Sequence, residues 1–221
     1  MTTELVVLDM AGTTVADDGL VVRAFTEAIR AIGVPDERYP DMLEYVVDTM
    51  GQSKITVFRA LLDDETLAQQ ANAAFEGAYG DLVRGGACTP IDGAEDVVRG
   101  LREDGVKVAF TTGFAPVTQL AILDALGWRD LADLALAPGD GVRGRPFPDL
   151  VLTAALRLEV TDVRHVAVVG DTASDVLCGR RAGASVVAGV LTGAGRREDL
   201  LEATHVLDSV RELPAVLGEN R

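Results

Sequence analysis

Leu5-Val6-Val7-Leu8-Asp9-Met10-Ala11-Gly12-Thr13-Thr14 is an apolar run of strand length that ends in a carboxylate and a glycine turn. Every position from 5 to 8 is apolar, so the run reads as a strand buried on both faces, as in a parallel sheet covered by helices. Asp9 then stands at the carboxyl tip of that strand, the end at which open parallel sheets bind ligands. A carboxylate there can attack phosphorus and form an aspartyl phosphate. It can equally do no more than cap the following turn.

Similar apolar runs recur at residues 106–110, 134–136, 166–169 and 186–190, with helical patterns between most of them. The expectation is an α/β protein with a doubly wound parallel-sheet, Rossmann-like core. A closed eight-stranded barrel would need more repeats than the roughly five or six units present. Between residues 16 and 90 the alternation stops, and residues 20–32, 40–50, 53–62 and 64–83 all read as helices. Ser53 and Asp63 or Asp64 are the expected N-caps. This predicts an all-helical insert, residues 16–90, after the first strand of a core made of residues 1–15 and 91–221. Hinges near 15–19 and 85–92 would let it move as a lid.

Composition narrows the function. Hydrophobic residues make up 48% of the 221, enough for a well-buried core, and no apolar run reaches the ~18 residues of a membrane span. The formal net charge of −15 argues against nucleic acid and anionic membranes as partners. It also means that a small anionic substrate needs a metal ion and local cations to reverse the field. The amino terminus lacks a basic signal-peptide region, and Cys88 and Cys178 are the only cysteines, so a cytoplasmic protein is expected.

Three further strand ends carry chemical groups. Thr112, followed by Gly113 and Phe114, offers a hydroxyl and free backbone N–H groups for phosphate oxygens. Arg145, in a loop stiffened by Pro146 and Pro148, offers a permanent charge and a fork of donors. Asp171 and Asp175 follow residues 166–170, and two hard carboxylates at that spacing suit Mg²⁺. Helix capping explains one of the two well and both poorly.

This order of Asp, Thr, cation and paired carboxylate resembles the haloacid dehalogenase superfamily over essentially the whole chain, with the helical insert similar to its cap. The resemblance implies Asp9 as nucleophile, Thr112 and Arg145 as phosphate binders, and Asp9, Asp171, Asp175 and the Ala11 carbonyl around Mg²⁺. Gly12, Thr13, Gly113 and Phe114 would line the substrate site.

Ala11 sets the chain apart. Most phosphatases of the superfamily carry a second Asp there, which protonates the leaving alkoxide, a contribution of roughly 10²–10⁴-fold. Asp-x-Ala-Gly-Thr-Thr, Met50-Gly51-Gln52-Ser53-Lys54 and Arg145-Pro146 are similar to the phosphonoacetaldehyde hydrolase (phosphonatase) family. In that family the Lys forms a Schiff base with the substrate aldehyde. A C–P bond has no oxygen to protonate, and an iminium supplies the electron sink its cleavage needs. Met50 and Gly51 would accompany Lys54 in the site. Lys54 and Lys107 are the only lysines among 20 basic residues, and arginine cannot form a Schiff base, so a retained Lys54 asks for a reason. Val57 stands where the family carries a His, and Phe114 where Tyr is familiar.

The expected function is Mg²⁺-dependent hydrolysis of the C–P bond of a 2-oxoalkylphosphonate such as phosphonoacetaldehyde, through a Lys54 Schiff base and an aspartyl phosphate on Asp9. The alternative is a phosphatase for a small phosphate monoester using the same nucleophile. A binding module without turnover has only Ala11 in its favour. The family resemblance also implies a homodimer through the cap. Leu20, Val21, Val22 and Phe25 could form its face or be buried within the insert.

Overall fold

The computed structural model describes residues 2–139 and 141–219. A six-stranded, wholly parallel sheet forms its centre, in the order β3-β2-β1-β4-β5-β6. The strands are β1 (Leu5–Asp9), β2 (Lys107–Thr111), β3 (Leu134–Leu136), β4 (Val166–Gly170), β5 (Val186–Val190) and β6 (His205–Leu207). β1 lies between β2 and β4, with Asp9 paired in register with Thr111. The chain winds outward from β1 in one direction and from β4 in the other, which opens a crevice at the carboxyl ends of these two strands.

Strand pleating sends alternate side chains of β1 to opposite faces, and both faces are covered. Val6 and Leu8 join the core that includes α5 (Ala94–Glu103), α6 (Pro116–Leu126) and α9 (Leu213–Glu219). Leu5 and Val7 pack on the other side with α7 (Asp149–Arg157) and α8 (Ala173–Ala182). The doubly wound expectation holds, with strand limits shifted by about one residue, within the usual scatter of boundaries. β6 escaped the sequence reading because it begins with the polar His205, which leaves only two apolar residues in a row.

Between β1 and α5 the described chain contains no named strand. Its helices are α1 (Leu20–Ala31), α2 (Tyr39–Asp48), α3 (Lys54–Leu62) and α4 (Glu65–Arg84). Phe25 stacks on Phe58 at 5.2 Å between centroids, and Phe58 meets Phe75 edge-on at 6.2 Å. Leu20, Val21 and Phe25 are buried within the insert, while Val22 is half-buried. Asp64 caps α4 by accepting from Leu67 N at 2.8 Å, while Asp63 ends α3 in the left-handed region (φ 49°). Ser53 takes the N-cap position of α3, but its hydroxyl makes no capping bond.

The two connections to the insert run side by side. Ala16 N donates to Thr89 O at 2.9 Å, and Ile91 N donates to Thr14 O at 2.9 Å. No helix among the described residues is long and apolar enough to cross a membrane.

Candidate active site

Strand ends bring the acidic residues together. Asp9 ends β1, Asp171 follows β4, and Asp175 lies in the first turn of α8. One oxygen from each carboxylate falls within 4.8 Å of the others, and all three residues are buried. Hard oxygen donors this close repel one another unless a cation sits among them, so the donor set fits Mg²⁺.

Arg145 supplies one cation from the protein. Nη2 lies 2.5 Å from Asp9 Oδ1, and Nη1 bonds Asp175 Oδ1. The guanidinium is buried, and Nε has no hydrogen-bond partner. Burial works against its charge, but Asp175 and Asp9 overcome that and hold it above the ordinary arginine range. Burial pushes the Asp9 carboxyl up to about 7, with Asp175 adding to the rise and Arg145 opposing it. Asp171 is raised too, by burial and by its two acidic neighbours, with the Ala194 N–H and Arg145 pulling the other way. A divalent cation would return Asp9 and Asp171 to carboxylates.

Backbone groups hold the acids in place. Ala194 N donates to Asp171 Oδ2 at 2.7 Å, and Thr13 Oγ1 donates to Asp171 Oδ1 at 3.4 Å. Asp175 accepts from Thr172 N at 3.1 Å in a capping box, so it serves the helix and the site at once. Gly12 has φ +88°, and a Cβ there would stand 2.5 Å from Asp171 Oδ2. Only glycine accepts both that backbone and that approach. Gly193 is confined by the approach alone, because a Cβ there would run into the Asp171 carboxylate.

The insert closes this site from above. Gly51 (φ +83°) abuts Thr172, and a Cβ on Gly113 would stand 2.6 Å from Gln52 O. Lys54 N donates to Gly113 O at 3.3 Å. Lys54 is therefore buried, with Nζ 5.5 Å from the ring centre of Phe114 and 6.0 Å from that of Phe75. Burial pulls its ammonium below the ordinary lysine range, against the opposing charge of Asp17.

One pocket is lined by Asp9, Ala11, Met50, Gly51, Lys54, Thr112, Gly113, Phe114, Arg145 and Asp171. Most of the residues expected from the sequence thus meet. Thr112 Oγ1 accepts from Phe114 N at 3.2 Å, which fixes the turn after β2. Gly12, Thr13 and Asp175 stand just behind the lining and hold Asp171 and Arg145. Val57, one turn along α3 from Lys54, is buried and apolar. The other lysine, Lys107, is not part of this pocket; its Nζ bonds Leu158 O.

The sequence reading missed Asp17, Val21, Thr172 and Ala194, which complete the lining. Ala194 lies in Thr192-Gly193-Ala194-Gly195 just after β5, so the strand-end rule could have found it. Asp17 carried no such signal.

Comparison with known proteins bears on the family and the fold. Residues 3–183 match the family model of the haloacid dehalogenase-like hydrolases. A phosphonoacetaldehyde hydrolase of Bacillus cereus is 30% identical, over 95% of this chain and 84% of its own. A solved phosphonoacetaldehyde hydrolase-like protein from Oleispira antarctica is 25% identical and superposes with a TM-score of 0.83, covering 99% of this chain and 92% of its own. A hydrolase from Pseudomonas syringae, 23% identical with a TM-score of 0.85 over 99% of both chains, shares the fold.

Proposed function

The chain belongs to the haloacid dehalogenase-like hydrolases, and on that footing we propose that it cleaves the C–P bond of a 2-oxoalkylphosphonate such as phosphonoacetaldehyde. The observation that carries this reading is Lys54, buried in the same pocket as Asp9 and Arg145 with its ammonium pulled toward the neutral amine. A solvated surface lysine would lack this environment. Burial of an amine costs stability, and Schiff-base chemistry gives a reason to bear it.

In the proposed reaction the insert acts as a cap that delivers Lys54 to the substrate carbonyl. The resulting iminium accepts the electrons of the breaking C–P bond. Asp9 receives the phosphoryl group, and water hydrolyses the aspartyl phosphate. Arg145 and Thr112 bind phosphonate oxygens. Mg²⁺ would be held by Asp9, Asp171, Asp175 and the Ala11 carbonyl, where it neutralises charge on the phosphoryl group. The methyl of Ala11 lines the pocket and has no proton to give an alkoxide, which disfavours an ordinary phosphate ester.

The test is phosphate release from phosphonoacetaldehyde with Mg²⁺ by wild type and by Lys54→Arg. Release by wild type alone supports the reading. Equal release by both removes Lys54 from the mechanism. No release by either, with turnover of a phosphate monoester, replaces the reading with the phosphatase.

A further inference from the structure

Forming a Schiff base from a lysine ammonium and an aldehyde moves two protons. The nitrogen loses both, and the carbonyl oxygen takes both and leaves as water. Some group beside Lys54 must carry them. Val57 cannot, and both histidines lie at the wrong end of the sheet. His165 immediately precedes β4 and bonds Glu4, and His205 opens β6.

The charged groups that act most strongly on Lys54 are Asp17, Arg145, Asp9 and Glu76. Asp9 is bonded to Arg145 and is the proposed nucleophile. Arg145 keeps its proton. Glu76 Oε2 accepts from the Thr118 hydroxyl, and Glu76 is not part of the pocket lining. Asp17 remains. It lines the pocket with Lys54 and Asp9, and it is half-buried where Lys54 is buried, so it can exchange protons with solvent. No ion pair joins Asp17 to Lys54 among the described residues, so Nζ is not locked against attack.

Resting on the Schiff-base reading, we infer that Asp17 is the proton-transfer residue for Lys54. Through one bridging water its carboxylate takes one proton from the ammonium, and the neutral amine adds to the carbonyl carbon as the C=O π bond breaks. The second proton passes from nitrogen to oxygen in the carbinolamine. The Asp17 carboxyl then returns its proton to that oxygen, the C–O bond breaks and water leaves. The products are the iminium and the original carboxylate, so charge and protons balance.

The surroundings suit this role. Burial raises the Asp17 carboxyl above its ordinary range, with Lys54 opposing, which brings the two groups closer in proton affinity. Asp18, Tyr79 and Cys88 also face Asp17, and burial keeps the Tyr79 phenol and the Cys88 thiol protonated.

Asp17 has a structural duty as well. Its Oδ1 accepts from Val21 N at 3.2 Å at the start of α1. Asn and Ser keep such a bond but lose the transferable proton. The test is borohydride trapping of the enzyme with phosphonoacetaldehyde and Mg²⁺, the reduced adduct being counted by mass. Wild type should trap. Asp17→Asn and Asp17→Ser should trap at least ~10²-fold more slowly while melting near wild type. The deficit should shrink as pH rises and hydroxide takes the proton, and Asp17→Glu should recover most of the rate. A carboxylate acting by charge alone gives the opposite sign, because removing it frees more neutral amine and speeds trapping. Faster or unchanged trapping in the Asn and Ser variants overturns the proton-transfer role. No adduct from wild type overturns the Schiff-base reading and this role with it.

Discussion

Arg145 Nη2 lies 2.5 Å from Asp9 Oδ1, with the two side chains only 2% and 6% exposed. The pair ties the loop before α7 to the tip of β1, and the same guanidinium holds Asp175. Burial favours a protonated Asp9, which could not attack phosphorus, and Arg145 pushes it back toward the carboxylate. In the proposed reaction one side chain thus both activates the nucleophile and receives the phosphonate.

Arg145→Met is expected to cost about 3–5 kcal/mol of stability, because it leaves two buried carboxylates without their partner. Urea unfolding measures this. Arg145→Lys keeps the charge but not the two-armed geometry. It should lose more in phosphate release than in unfolding midpoint.

Asp9→Asn keeps the volume of the side chain and removes the nucleophile. Phosphate release should fall by on the order of 10⁴-fold or more. No phosphorylated intermediate should be found by mass after rapid quenching, whereas the melting temperature should stay close to wild type.

The pH dependence of Lys54 follows from its burial. The ordinary lysine value is 10.5, and burial lowers it. The neutral amine attacks, so adduct formation should rise with pH through a midpoint below 10.5. A midpoint at or above that value would mean that Lys54 is solvated when it reacts. Lys54→Arg should give no adduct at any pH.

Mg²⁺ should raise the melting temperature and be required for phosphate release, with EDTA abolishing release. At about 100 times its Kd a bound ion adds roughly 2.7 kcal/mol. Gly193→Ala places a methyl against the Asp171 carboxylate without the backbone strain expected at Gly12. It should raise the Mg²⁺ concentration needed for half-maximal activity by about 10–100-fold.

Much of this site was legible because it follows a rule of position. Asp9, Thr112 and Asp171 stand at or just beyond the carboxyl ends of parallel strands, and such ends can be read from apolar runs. Arg145 and Asp175 were legible as donor and ligand types beside those ends. Asp17 was not, since its place beside Lys54 depends on how α3 lies over the sheet, and no local pattern encodes that. Ser53 shows the converse. Its type and spacing mark a helix start correctly, yet its hydroxyl makes no capping bond. The apolar residues at 20, 21 and 25 fitted two readings, and only the packing of Phe25 on Phe58 decided between them.

The seam between insert and sheet is built largely from backbone, with Gly51 against Thr172 and Gly113 against Gln52 O. A joint of this kind specifies where two bodies dock without specifying the side chains around it. Residues on the pocket face of the insert can therefore be exchanged over evolutionary time while Lys54 still arrives above Asp9. On the proposed reaction, such exchanges would broaden or shift the range of carbonyl compounds accepted and leave the chemistry unchanged.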